Sequence, residues 1–131
     1  MKLSDKILIV PIILLGLNLV YRLIDSAKMI WQFPFDAVND FAAYIALLHF
    51  FDLYGYMGTV PEWYNGFTLF ATYPPGWVFF TYPIYLVTEH LLLSAYLSII
   101  FLFILGFIGI WLIGRELKLS KVKIVAFFLF V

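Results

Sequence analysis

Two long apolar runs, separated by a stretch of mixed character, set the plan of this 131-residue chain. Ile7 to Ile24 is apolar for about 18 residues, enough for a tilted helix across a hydrocarbon core of roughly 30 Å. Pro11 falls near its start, where helix donors lack partners anyway. Arg22 at the other end can snorkel to the headgroups. Leu91 to Gly114 is a second run of about 24 residues without a charge, again long enough to span. A third run, Ile124 to Val131, stops after eight residues. That is too few to cross a bilayer, and a half-built helix would leave its last carbonyls unsatisfied in lipid. The chain therefore reads as the amino-terminal piece of a longer polytopic protein. A cleaved signal peptide is the rival reading of the first run, opposed by its length and by the charged Asp25 before Ser26-Ala27.

The intervening residues divide at their prolines. Phe33-Pro34-Phe35 cannot easily continue a helix, and Asp36 or Asn39 then offers a side-chain oxygen to cap a new one running to about Tyr54. Gly76 to Thr88 is apolar for only about 13 residues, bounded by Pro74-Pro75 and Glu89-His90 and interrupted by Pro83. Its length suits an interfacial or re-entrant helix, with Trp77, Tyr82 and Tyr85 at headgroup level. The pattern predicts an all-α integral membrane fold with two complete transmembrane helices, 7–24 and 91–114. A loop at 25–90 holds an amphipathic helix and an interfacial helix, and a short loop at 115–123 leads into the start of a third span at 124–131. No internal repeat or low-complexity linker is present. The aromatic content of the long loop predicts that it is ordered.

Composition agrees with a bilayer environment. Hydrophobic residues make up 65% of the chain and charged ones 12%, against about a quarter charged in soluble domains. The absence of Cys excludes disulfides, thiol catalysis and thiolate metal sites. Zero net charge gives no electrostatic basis for binding nucleic acid. The distribution of charge says more than its sum. Lys2, Lys6, Arg115, Lys118, Lys121 and Lys123 flank the spans, whereas Asp25 to His90 holds six acids (Asp25, Asp36, Asp40, Asp52, Glu62, Glu89) and one base, Lys28. By the positive-inside rule the amino terminus and the Arg115 segment are cytoplasmic, and the acidic loop is outside.

The loop alone has enough polar chemistry to carry a function. On the helix expected to end near Tyr54, Asp36, Asp40, Tyr44, Leu47 and Phe51 share one stripe. His49 falls half a turn away from Asp40, close to the small residues Ala42, Ala43 and Ala46, which would permit tight helix packing. A first-turn Asp is stabilised as the anion by the helix dipole, which suits Asp40 as a general base or metal ligand. The alternative is that Asp36 and Asp40 serve only as capping charges, and Asp52 reads as a solvated carboxylate. Trp63, Tyr64 and Tyr73 can stack on a sugar ring or anchor at the interface.

The order Asp40-x-x-x-Tyr44, Leu53-Tyr-Gly-Tyr, Pro61-Glu-Trp63-Tyr-Asn-Gly66, Tyr73-Pro-Pro-Gly-Trp77 resembles the first outer loop of GT-C membrane glycosyltransferases. It looks closer still to the multispanning archaeal and bacterial proteins named membrane 6-pyruvoyl-tetrahydropterin-synthase-related. That label carries no expectation of pterin chemistry, because no zinc-ligating His or Cys cluster is present. The resemblance covers roughly residues 7 to 118. It implies transfer of a sugar from a polyprenyl-phosphate donor on the extracytoplasmic face of the plasma membrane. Asp40 would be the catalytic carboxylate, with Asp36, Tyr44, Trp63 and Tyr73 at the substrate. A divalent metal, Mg or Mn, would sit at Asp40 if one is used. Phe41 stands where the transferase pattern often has an acid, and Tyr73 where a charged residue usually precedes the prolines. The loop's only cation is Lys28, so groups that neutralise the donor phosphate would come from downstream spans. The competing class is a non-catalytic membrane protein, a transporter fragment or assembly subunit.

Overall fold

The computed structural model describes residues 6–31, 39–63 and 65–130. They are mostly helical, in the order α1 (Ile9–Ser26), α2 (Asn39–Tyr54), β1 (Thr59–Val60), β2 (Phe67–Thr68), α3 (Gly76–Thr88), α4 (Leu91–Glu116) and α5 (Lys121–Phe130), with a 3-10 turn at Ala27–Ile30 after α1. Two compact units emerge, one of residues 29–99 and one joining the residues up to 28 with those from 100 onward. Asp36, the Phe33-Pro34-Phe35 break, Tyr64 and Val131 lie outside the described residues.

In the second of these units, α1 buries no residue and exposes Val10, Ile13, Leu14, Leu17, Tyr21 and Ile24 at spacings of three and four. An apolar stripe left open in this way is what lipid-facing helices present. Helix α1 with its 3-10 turn covers 22 residues and α4 covers 26, and both are long and apolar enough to cross a membrane. Each run is longer than its uncharged segment. Helix α4 continues through Arg115 and Glu116, and α5 begins at Lys121 rather than Ile124, because Arg, Glu and Lys are good helix formers. At the far end of α1, Lys28 Nζ donates to Asp25 at 2.6 Å. Helices α4 and α5 form a hairpin. Lys118 takes a left-handed conformation at φ 52°, and Leu119 N donates to Gly114 O at 2.9 Å. Gly114 is needed there, since a Cβ would stand 2.8 Å from Ile124 Cδ1. Phe107 and Phe128 then meet edge-on at 5.0 Å, and α1 packs along α5.

The unit of residues 29–99 has a core of its own, built from Leu47 and Leu48 of α2, Val60 of β1, Leu69 and Phe70 after β2, and Val78 of α3. The order expected for the loop is thus explained by burial. Helix α3 occupies the interval expected for it, Gly76–Thr88, and α2 ends at Tyr54 as expected. The β1–β2 hairpin, which pairs Thr59 with Thr68 and Val60 with Phe67, was not anticipated. Gly58 makes its entry possible: a Cβ there would clash with backbone Tyr54 O and lie 2.7 Å from Tyr54 C. The expectation that α2 is amphipathic is corrected. Its apolar residues are distributed all round, with Ala42, Ala43 and Leu53 exposed as well as Ile45, Leu47 and Leu48 buried, so apart from the two tyrosine hydroxyls polarity is confined to Asn39, Asp40, His49 and Asp52.

Candidate functional site

Helix α2 places Asp40 in its first turn, exposed. Four residues on, Tyr44 projects from the same stripe and packs its ring on Trp77 at the head of α3, with centroids 5.4 Å apart. The stripe continues into the core as Leu47 and Leu48, and Phe51 meets Phe79 at 5.7 Å and Tyr82 at 4.7 Å. This places the expected stripe against α3. His49 is exposed and its ring contacts Phe50, away from Asp40 as the helix period requires. A divalent ion needs several oxygen ligands. Among the described residues no three His, Asp or Glu side chains gather to hold one, so Asp40 does not by itself make a metal site.

Asp52 is exposed, as expected of a solvated carboxylate, and in addition accepts from two phenols. Tyr82 Oη donates to Asp52 Oδ1 at 3.1 Å and Tyr85 Oη to Oδ2 at 3.2 Å. Burial, reinforced by the hydrogen bond to Asp52, pushes the Tyr82 hydroxyl above its ordinary value. Burial followed by the negative charge of Asp52 does the same at Tyr85. A second clamp closes on the hairpin, where Tyr54 Oη donates to both oxygens of Glu62 at 2.7 and 2.8 Å. That hydrogen bond, ahead of burial, raises the Tyr54 hydroxyl.

These clamps also set how α3 faces α2. Trp77, Tyr82 and Tyr85, expected at headgroup level, turn toward α2 and its carboxylate. The exposed face carries Pro83, Leu86 and Val87, at the three- and four-residue spacing of one helical stripe. Helix α3 stops at Glu89, left-handed at φ 52°, and His90 starts α4 by accepting Leu93 N on Nδ1 at 3.1 Å. His90 is thereby a cap.

The aromatic residues expected at the substrate divide into two places. Trp63 and Tyr73 both contact Phe67, each at 6.2 Å between ring centroids, and Trp63 also meets Phe50 edge-on at 5.3 Å. Phe50 follows Asp40 by ten residues, about 15 Å along the helix axis at 1.5 Å per residue. Asp40 and Tyr44 are therefore at one end of α2, and Trp63 and Tyr73 beside the other. Phe67, Glu62 and Tyr54 belong with the second group and went unrecognised because nothing in the sequence pairs them locally. Compared with protein-family models, curated proteins and solved structures, the chain matches none.

Proposed function

We propose that this chain is the amino-terminal part of a GT-C-like glycosyltransferase, in which Asp40 acts as the base on the acceptor of a sugar leaving a polyprenyl phosphate. The observation that carries the reading is the placement of Asp40. It is an exposed carboxylate in the first turn of a helix whose next stripe position, Tyr44, is fixed against the head of the helix that follows Pro74-Pro75. Removing an acceptor proton as the phosphate departs is general base chemistry. From Asn39 to His90 there is no Lys or Arg, so this segment supplies the base and not the phosphate's countercharge. Arg, Lys or a metal from downstream spans completes the site. Helix α3 supports the same arrangement, because its outward stripe is aliphatic while its hydroxyl-bearing rings point inward. A helix sorted this way lies on a bilayer surface. The positive-inside distribution supports an extracytoplasmic position for residues 25–90, which in this reading face outward from the plasma membrane.

A non-catalytic multispanning subunit is the second reading, favoured by the lack of a gathered carboxylate or His group among the described residues. The comparison of Asp40→Asn with wild type separates the two. Asn keeps size and much of the hydrogen bonding but not the charge, so a base is expected to lose about 10² or more in rate. With equal amounts of membrane-inserted protein and the glycan profile of the native host as readout, unchanged glycosylation in Asp40→Asn would discard the enzymatic reading.

A further inference from the structure

Trp63, Phe67 and Tyr73 form a continuous ring strip some 15 Å along α2 from Asp40, too far for one sugar ring to reach both. Its members are half-buried to exposed, with Tyr73 at 55%. Beside it, Glu62 accepts the Tyr54 hydroxyl, and a carboxylate has acceptor sites to spare beyond that one donor. Flat apolar rings next to a carboxylate and a phenol match a pyranose, which has an apolar C–H face and a rim of hydroxyl donors.

Resting on the glycosyltransferase reading, we infer that Trp63, Phe67 and Tyr73 form a distal subsite for an uncharged oligosaccharide, which extends along α2 from the reacting unit at Asp40. Charge selects this occupant. Between Asn39 and His90 the formal charges are all acidic: Asp40, Asp52, Glu62 and Glu89. An anionic phosphate or the headgroups of an anionic lipid surface would be repelled, whereas a neutral glycan has nothing to lose. Phe67 contacts Trp63 at a tilt of 42° and Tyr73 edge-on at 68°, which restrains the ring planes before a ligand arrives, and a preorganised platform binds at lower entropic cost.

The test is calorimetric titration of the whole chain in nanodiscs with neutral gluco- and manno-hexasaccharides, alongside the same hexasaccharides phosphorylated. Binding is expected for at least one neutral hexasaccharide. It should weaken about tenfold in Tyr73→Ala, the loss of a stacked ring, and persist in Tyr73→Phe, which keeps the ring. Tyr73 is exposed, and an unchanged circular dichroism spectrum verifies that Tyr73→Ala folds. Asp40→Asn should leave the roughly tenfold difference between Tyr73 and Tyr73→Ala in place even as it slows transfer by about 10² or more. Thus loss of the catalytic reading and loss of this subsite give different results. No binding by either neutral hexasaccharide, or equal binding by Tyr73→Ala, overturns the inference. Tighter binding of the phosphorylated forms overturns it too, as does quenching of Trp63 by headgroup-depth probes without any response to sugar, the result of a lipid anchor.

Discussion

A carboxylate in the last turns of a helix faces the negative end of the helix dipole, so Asp52, two residues before α2 ends, sits at a locally unfavourable position. The hydroxyls of Tyr82 and Tyr85 compensate, since hydrogen bonds to an ionised acceptor are the strong ones. Both phenols hold their protons more tightly in the folded protein than their ordinary value would give. At alkaline pH the unfolded chain therefore binds fewer protons than the folded one, and stability falls as pH rises. The contribution is whole below the ordinary phenol value of about 10 and is lost as pH climbs through the raised folded values. The phenolate absorbance should accordingly lag in the folded protein, and replacing both Tyr82 and Tyr85 by Phe should flatten the alkaline fall of the unfolding midpoint. Asp52→Ala should lower that midpoint by a few degrees at neutral pH, the size of one or two hydrogen bonds in a domain of this length. An identical alkaline profile in the double Phe variant would show that the clamp contributes nothing. The signal for it was present in the sequence. Asp40, Tyr44, Leu48 and Asp52 recur every four residues, and Tyr82 and Tyr85 are three apart, so each set shares a helical stripe. It went unread because an Asp near a helix C-terminus reads as solvated until a partner helix is placed beside it.

Among the elements, α2 and α3 were legible because Pro and Gly bound them, and the two long helices because of their uninterrupted apolar length. Pro74-Pro75 precedes α3, and Gly55 follows α2. Their apolar lengths separate spanning from interfacial runs. The β1–β2 hairpin was not legible. Strands of two residues carry no alternation to detect, and their register follows from burial of Val60 and Leu69 in a core that only the tertiary fold assembles. The facing of α3 was missed for a related reason. Aromatic residues were assigned to the headgroups by type, and the pairing of the two phenols with the carboxylate on α2, which leaves Pro83, Leu86 and Val87 outward, emerges only when the helices are packed. If that outward stripe lies in lipid, a nitroxide on Cys substituted at Val87, 85% exposed, should collide more often with oxygen, which partitions into the bilayer, than with a water-soluble nickel chelate. Preferential collision with the chelate would put α3 in water, and its aliphatic face would then need a protein partner.

At the scale of the whole molecule, orientation follows from a few charges. Lys6, Arg115, Lys118, Lys121 and Lys123 lie at the ends of α1, α4 and α5 that adjoin one side of a two-span arrangement, and the acids cluster between the spans. Moving basic residues across a bilayer is opposed far more strongly than moving acidic ones. In the proposed arrangement, two crossings by α1 and α4 with α3 on the surface would keep every one of these bases in the cytoplasm. Counting α3 as a crossing would send the Arg115 cluster outside. The chain has no Cys, so a single introduced thiol reports its own side. Thr72→Cys, in the exposed stretch before Pro74, should react with an impermeant maleimide on intact cells. Lys121→Cys, exposed at the start of α5, should react only after the membrane is opened. The opposite pattern would place Asp40 in the cytoplasm, away from a lipid-linked donor presented outside. Asp40 could then no longer serve the proposed transfer, whatever its substitution did to the glycan profile.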